Sequence, residues 1–304
     1  MLAMATQKLT IRPMISSDRE QVFAISAQIW DGDDYVPEVW DAWLADPQGR
    51  FVAATLRGRV TGFAMIKRYG PGEWWMQGLR VDPKYRGRGI ARALHDYLLA
   101  FAGQAGPGMV RYATGGNNLG SQHLGRTSGF EFVGRFLRLR APALTRAESA
   151  ALALPPLTPW RKGDLPDLER FLCRSPRVRA DHVIYAAAWT WRELTPARLA
   201  AHVAAREVYG WRDAHGRVAA LALLEQRSDE DQLRVSLADA RLGGPLSLTH
   251  LGRALRDMAR RRRRKAITLE VPVDSPWQHA LEKAGYALAW DPGDCMVLLE
   301  RPVP

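Results

Sequence analysis

The stretch Leu79-Arg-Val-Asp-Pro-Lys-Tyr-Arg-Gly-Arg-Gly-Ile-Ala-Arg-Ala-Leu94 decides the fold. An apolar strand closes at Val81, a short connection carries Arg86-Gly87-Arg88-Gly89, and a helix starts at once at Ile90. Successive backbone N–H groups with little bulk at Gly87 and Gly89 form a nest for anionic oxygens, and the helix N-terminus adds partial positive charge. Arg86 and Arg88 bring guanidinium forks suited to phosphate. The same residues also read as a glycine-rich turn with two solvated arginines, and the loop alone does not separate these readings. No G-x-G-x-x-G follows the strand and no Gly-Lys-Ser/Thr occurs, so dinucleotide-fold and Walker loops fit poorly.

Strands and helices alternate on both sides of this stretch. Lys8 to Met14 alternates as a strand. Ser17-Asp18 supplies capping chemistry for a helix through Val22, Phe23, Ile25 and Ile29, and a second short helix is expected over Glu38 to Ala45. Phe51 to Thr55 and Val60 to Lys67 read as a hairpin about Arg57-Gly58-Arg59, and Trp74 to Val81 as the next strand. Ile90 to Phe101 is amphipathic, with Ile90, Leu94, Tyr97, Leu98 and Phe101 inward. A strand over Val110 to Ala113, a helix near Ser121 and a strand over Phe130 to Leu139 complete the half. This order predicts an α/β (α+β) sandwich around a mixed, mostly antiparallel sheet flanked by helices.

The second half repeats these landmarks. Asp164 follows Asp18, Gly216-Arg217-Val218 follows Gly58-Arg59-Val60, and Leu233-Arg234-Val235 follows Leu79-Arg80-Val81. Arg253-Ala-Leu-Arg-Asp257 follows Arg92-Ala-Leu-His-Asp96, and Ala284-Gly285-Tyr286 follows Ser128-Gly129-Phe130. Two copies of one fold are expected, at 1–142 and 158–304, joined by a linker over 143–157. With the copies aligned on Arg-Ala-Leu-x-Asp, Ser247-Leu248-Thr249-His250 stands where Arg86 to Gly89 stands, after a seven-residue insertion containing Gly243-Gly244-Pro245. The second copy thus lacks the arginine-glycine loop, and one working site, in the first copy, is expected.

The 304 residues are 47% hydrophobic and 25% charged, which suits two globular domains and excludes a disordered or fibrous chain. Two cysteines, Cys173 and Cys295, exclude a disulfide framework and suit a reducing compartment. Met1 to Thr6 has no basic region before an apolar core, and no run approaches the roughly 18 apolar residues of a span, so a soluble, cytoplasmic protein without membrane contact is expected. The net charge of +11 is uneven: residues 1–50 carry 4 bases and 8 acids. Asp31, Asp33, Asp34, Glu38, Asp41 and Asp46 lie together without an intervening base.

Arg86-x-x-Gly89-x-Ala91, directly after Leu79-x-Val81-x-Pro83, resembles motif A of the GNAT acetyltransferase superfamily. Asn118, Ser121, Leu124, Gly129 and Phe130 resemble that family's N-x-x-A-x-x-L-Y-x-x-x-G-F helix, so the likeness spans about residues 8–140. The chain is similar to tandem GNAT proteins with one degenerate copy. Asp34-Tyr35-Val-Pro with Trp40, Trp43 and Gly78-Leu-Arg-Val81 is similar, less specifically, to the histidine N-acetyltransferase branch.

The resemblance implies acetyl-CoA as co-substrate. It is held by Leu79, Arg80, Val81, Arg86, Gly87, Arg88, Gly89, Ile90, Ala91, Asn118 and Ser121, with the thioester carbonyl at the backbone N–H of Leu79 or Val81. It further implies direct transfer to an amine; the acidic segment Asp31 to Asp46 points to a small cationic molecule or amino acid as acceptor, and no metal is expected. The base is open: Glu73, on the strand face of Trp75, Gln77, Leu79 and Val81, acts through water or is a solvated carboxylate. Gly125 stands where the family offers a tyrosine to the leaving thiolate, so Tyr112 or Tyr97 substitutes, or the thiolate leaves to water. Trp30, Asp31, Asp33, Asp34 and Tyr35 either receive the cationic amine or form an ordinary connecting loop. Arg80, or an arginine of the second copy, would take the carboxylate of an amino-acid acceptor.

The six bases Arg260 to Lys265 read as a solvated last helical turn more readily than as a nucleic-acid footprint. Trp74, Trp75, Trp189 and Trp191 are expected to pack cores or an inter-copy interface. His95 and His123 lack metal-ligand spacing. The other class of function is a non-catalytic acyl-CoA-binding or nucleic-acid-associated regulator, and the oligomeric state is left open.

Overall fold

The computed structural model describes residues 8–152, 154–177, 184–187, 189–225, 231–244, 246–290 and 295–304. Met1 to Thr6, on which the leader expectation rests, and Pro245 lie outside the described residues. The chain forms two compact units, one of residues 1–114, 118–132 and 298–304, the other of 115–117 and 133–297.

In chain order the first unit contains β1 (Thr10–Pro13), α1 (Arg19–Ser26), α2 (Val36–Leu44), β2 (Arg50–Leu56), β3 (Arg59–Gly70), β4 (Glu73–Val81), α3 (Ile90–Gly103), β5 (Gly108–Gly115) and α4 (Leu119–Thr127). β1 to β4 form an antiparallel ladder. Arg57 and Gly58, both left-handed, make the tight β2–β3 turn whose twist matches that of the strands. Val22, Ile25, Val36, Trp40 and Trp43 pack the helix pair against Phe51, Phe63 and Met65 on one sheet face. Ile90, Leu94 and Leu98 are buried along α3 at helical spacing. They cover the other face, where a Cβ on Gly62 would touch Ile90 and Leu94. Each such large apolar side chain contributes about 1.5–3 kcal/mol by leaving water, which is what holds helices to sheet.

β4 and β5 run parallel and pair only at Glu73–Trp75 with Met109–Arg111. Beyond Trp75 the remainder of β4 pairs with β3 alone.

The chain continues with β6 (Glu131–Pro142), α5 (Arg146–Ala151), β7 (Thr158–Pro159), α6 (Leu165–Arg174), β8 (Ile184–Ala187), β9 (Thr190–Glu193), α7 (Pro196–Ala204), β10 (Val208–Arg212), β11 (Val218–Leu224), β12 (Gln232–Ala240), α8 (Leu248–Arg261), β13 (Ala266–Pro272), α9 (Pro276–Glu282), β14 (Ala287–Leu288) and β15 (Met296–Val303). The sheet of the second unit runs β7-β10-β11-β12-β13-β6, with β14 also on β6. β12 and β13 are its parallel pair, joined at Gln232–Val235 with Ala266–Leu269.

The same plan therefore appears twice, but the closing strands are exchanged. β15 lies beside β5 in the first unit, and residues 133–142 of β6 pair with β13 in the second. Expected limits at 142 and 158 leave β6 with the first copy and β15 with the second; the compact units group them the other way.

Some expected equivalences hold to the level of single hydrogen bonds. α4 and α9 both end on a left-handed glycine, Gly129 and Gly285. Phe130 N–H then returns to Gly125 O, and Tyr286 N–H to Leu281 O. Asp18 and Asp164 each accept from the backbone N–H three residues earlier, at Ile15 and Arg161.

Two expectations are corrected. Leu233–Val235 lies in the parallel-paired base of β12, whereas Leu79–Val81 lies past the end of that pairing in β4, so the tripeptides are not equivalent. The connection 241–247 before α8 is one residue shorter than 82–89 before α3, so the seven-residue insertion is absent and the apparent gap came from matching Leu-Arg-Val out of register. Trp189 is a third departure. It is 44% exposed and stacks on Trp290, with Arg138 over both rings, while Trp74, Trp75 and Trp191 are buried as expected.

Candidate active site

The site begins with a bulge. Gly78 is left-handed at φ 64°, and the β3–β4 register shifts there, with Met65 opposite Gln77 and Phe63 opposite Arg80. A Cβ on Gly78 would overlap the Trp43 ring, so both the backbone angle and the close approach require glycine. The bulge corrects the expected alternation. Arg80 now shares the face of Gln77, toward the α1–α2 side where Phe63 and Met65 are buried, while Val81 pairs with Gly62 on the α3 side. Asp82 N–H donates to Thr61 O at 3.0 Å, and alternation then turns the Val81 amide to the open edge of β4.

Past β4, Asp82 caps the turn Pro83–Tyr85 through Lys84 N–H at 2.9 Å. Gly87 and Gly89 are both left-handed at φ 74°, and a Cβ on either would meet nothing within 4 Å. The glycines thus serve backbone conformation, and the space above the loop is free. No side chain caps α3, so its first-turn N–H groups, which have no intrahelical acceptors, face that space. Arg86 and Arg88 are exposed, with Arg88 over the Tyr85 ring at 5.2 Å, and Ile90 is buried as the anchor of the turn.

The acceptor-side loop is built differently from the expected row of free acids. Asp34 is fully buried and bound by Arg80 through two bonds, Nη2–Oδ1 at 2.9 Å and Nε–Oδ2 at 3.3 Å. Arg80 Nη1 donates to Leu79 O at 3.1 Å, and the guanidinium lies 4.5 Å from the Trp30 ring and 5.7 Å from Tyr35. Burial pushes the Tyr35 hydroxyl up, against the opposing pull of Arg80 and the Gly78 backbone. Asp31 and Asp33 remain exposed, as does Trp30 at 60%. Trp30 and Asp31 both hold positive φ, a strained pairing for non-glycine residues.

Glu73 does not stand near this edge. It sits at the paired base of β4, six residues before Leu79, which is roughly 20 Å along a strand. It is buried, 3.6 Å from Arg111, which also binds Glu300 at 2.9 Å. The expected role as base is therefore corrected: Glu73 belongs to an ion cluster holding strands together. Asn118 caps α4, its Oδ1 accepting Ser121 N–H at 3.1 Å. Tyr112 fills the room left by Gly125, where a Cβ would overlap its hydroxyl. That hydroxyl donates to Ser121 O at 2.9 Å, and burial pushes its pKa up to about 12.

The model of the acetyltransferase (GNAT) family matches residues 18–130. N-alpha-acetyltransferase RimI of Mycobacterium tuberculosis is 35% identical over 133 residues, 42% of this chain and 82% of that protein. The chain belongs to the GNAT acetyltransferase family. Histidine N-acetyltransferase of Oreochromis niloticus is 33% identical over 78 residues, 25% of this GNAT chain and 23% of that protein. A tandem GNAT protein from the clavulanic acid biosynthesis pathway shares the fold over 97% of this chain and 98% of its own, with TM-score 0.56 at 15% identity. The chain is thus a GNAT acyltransferase with the tandem fold.

Outside the site, the basic run is largely paired. Arg260 and Arg261 bind Asp257 at 2.9 and 2.7 Å, Arg262 lies over Tyr209, and Lys265 binds Asp231 at 2.9 Å. Among the described residues no three His, Cys, Asp or Glu side chains gather as a metal site, and no helix is long and apolar enough to cross a membrane.

Proposed function

We propose that the first unit is an acetyl-CoA-dependent N-acetyltransferase that moves the acetyl group directly to the amine of a small cationic molecule or amino acid. One observation carries this reading: β4 runs on past its last pair with β5 and leads, through an open left-handed glycine loop, into an uncapped helix. The amides from Gly87 to Ala91, with Arg86 and Arg88, would hold the pyrophosphate, where fixed dipoles and two guanidinium groups meet its charge. The open edge at Leu79 and Val81 would receive the thioester carbonyl, and a backbone N–H there is matched to the charge that grows on oxygen.

In the transfer, the amine nitrogen bonds to the carbonyl carbon, the carbon–sulfur bond breaks, and the amine loses a proton to water. With Glu73 remote and the Tyr112 proton committed to Ser121 O, no single side chain is assigned as acid or base. A thiol near pKa 8.5 leaves as thiolate at neutral pH without a strong donor. The named activities of the RimI and histidine N-acetyltransferase relatives, both transfers to amines, support this acceptor class.

The test is thiol release from acetyl-CoA across an amine panel. Steady release only when an amine is present is expected; binding without turnover on every amine would contradict the reading.

A further inference from the structure

The Arg80–Asp34 pair makes a prediction about which amines enter. An arginine beside an acceptor site is the natural receptor for an acceptor carboxylate, because its planar fork offers two parallel N–H donors. In this molecule three of the five guanidinium N–H donors are already engaged. Nε and Nη2 both bind Asp34, Nη1 is turned to Leu79 O, and the Trp30 ring lies 4.5 Å from the guanidinium. A carboxylate arriving from outside meets a guanidinium whose charge Asp34 already balances and whose side chain is 12% exposed, and taking the Nε–Nη2 fork would displace the fully buried Asp34, leaving a buried anion without its partner. It would also approach past the exposed Asp31 and Asp33, of its own sign.

We infer that the Asp34–Arg80 pair is a specificity determinant that turns away acceptors carrying a carboxylate next to the amine. The favoured class is then amines whose neighbouring group is neutral, such as a peptide N-terminus, an amino-acid amide or an alkylamine. The pair has a second, linked consequence. Through Nη1 and Asp34 it ties the acceptor loop to the Leu79 carbonyl, so selection and the placement of the catalytic strand share one side chain. The inference rests on the acetyltransferase reading of the first unit and narrows it.

The experiment compares matched acceptors, alanine with alaninamide and histidine with histidinamide, by kcat/KM for thiol release at constant acetyl-CoA. The wild-type protein is expected to favour each amide by at least tenfold. Asp34→Asn, which removes the charge that balances Arg80 while keeping the side-chain shape, is expected to bring that ratio down toward one, with retained acetyl-CoA binding as the check on folding. Asp34→Ser serves the same purpose if Asp34→Asn does not fold. A wild-type ratio near one, or a ratio that neither variant moves while acetyl-CoA still binds, overturns the inference. Absence of turnover with all four amines is a different result: it overturns the acetyltransferase reading and the inference with it.

Discussion

The parallel strand pair in each unit shows how one architecture ends as two different objects. In the first, β4 and β5 stop pairing after Trp75 and Arg111. In the second, β12 and β13 stop pairing after Val235 and Leu269, and Arg177 enters just beyond. Its Nη1 donates to Ala238 O at 2.6 Å and its Nη2 to Glu270 O at 3.0 Å, so one buried guanidinium stitches both strands. The connections differ in the same sense. Neither α3 nor α8 has a side-chain cap, but Gly87 and Gly89 leave the space before α3 empty, whereas the α8 start carries the buried Ser247, whose hydroxyl meets His250 Nδ1 at 2.8 Å, and the buried Leu248. A parted strand pair is an opening only if nothing in the sequence fills it.

The largest effect expected from breaking this contrast is at Arg177. Arg177→Ala removes the donor to two buried carbonyls and leaves a cavity, and should lower stability by about 3 kcal/mol or more. Urea denaturation reads it. Wild-type stability in the variant would show that the stitch does not close the second unit.

Acid should act on the open unit next. Burial, opposed by Asp96 and helped by Arg92 and Arg301, holds His95 neutral, with its pKa pushed down to about 4. An unfolded histidine titrates near 6.5, so between those values the unfolded chain binds the extra proton and stability rises with pH. The loss on going from pH 7.5 to 4 should be roughly 3 kcal/mol from this group. In His95→Gln, denaturation at both pH values should show that part of the slope gone; an unchanged slope would assign acid sensitivity elsewhere.

The smallest effect is expected at Glu73. Glu73→Gln weakens the Arg111 cluster by about 1 kcal/mol while kcat stays within about threefold of wild type. Complete loss of turnover with normal acetyl-CoA binding would restore Glu73 as a base.

The fold was legible in the sequence because its signals are local. Alternation in β1 to β4, the apolar stripe of α3 and the left-handed Gly129 and Gly285 need no knowledge of distant contacts. The loop at Arg86 to Gly89 was legible for the same reason. What was not legible depends on one residue's effect on many, or on partners far apart in sequence. Gly78 inserts a residue into β4 and moves every later side chain to the opposite face, and a glycine inside a strand pattern was the available signal. The Asp34–Arg80 pair spans 46 residues and Glu300 reaches Arg111 across 189. The exchange of β6 and β15 has no signature at all in a repeat read as two consecutive blocks.

Calorimetric titration of the intact chain with acetyl-CoA tests the central claim most directly, because it counts open strand pairs. One site per chain is predicted, weakened about tenfold each by Arg86→Ala and Arg88→Ala and unaffected by Ser247→Ala. Two equal sites per chain, or a single site that Ser247→Ala abolishes and the arginine variants leave intact, would contradict it.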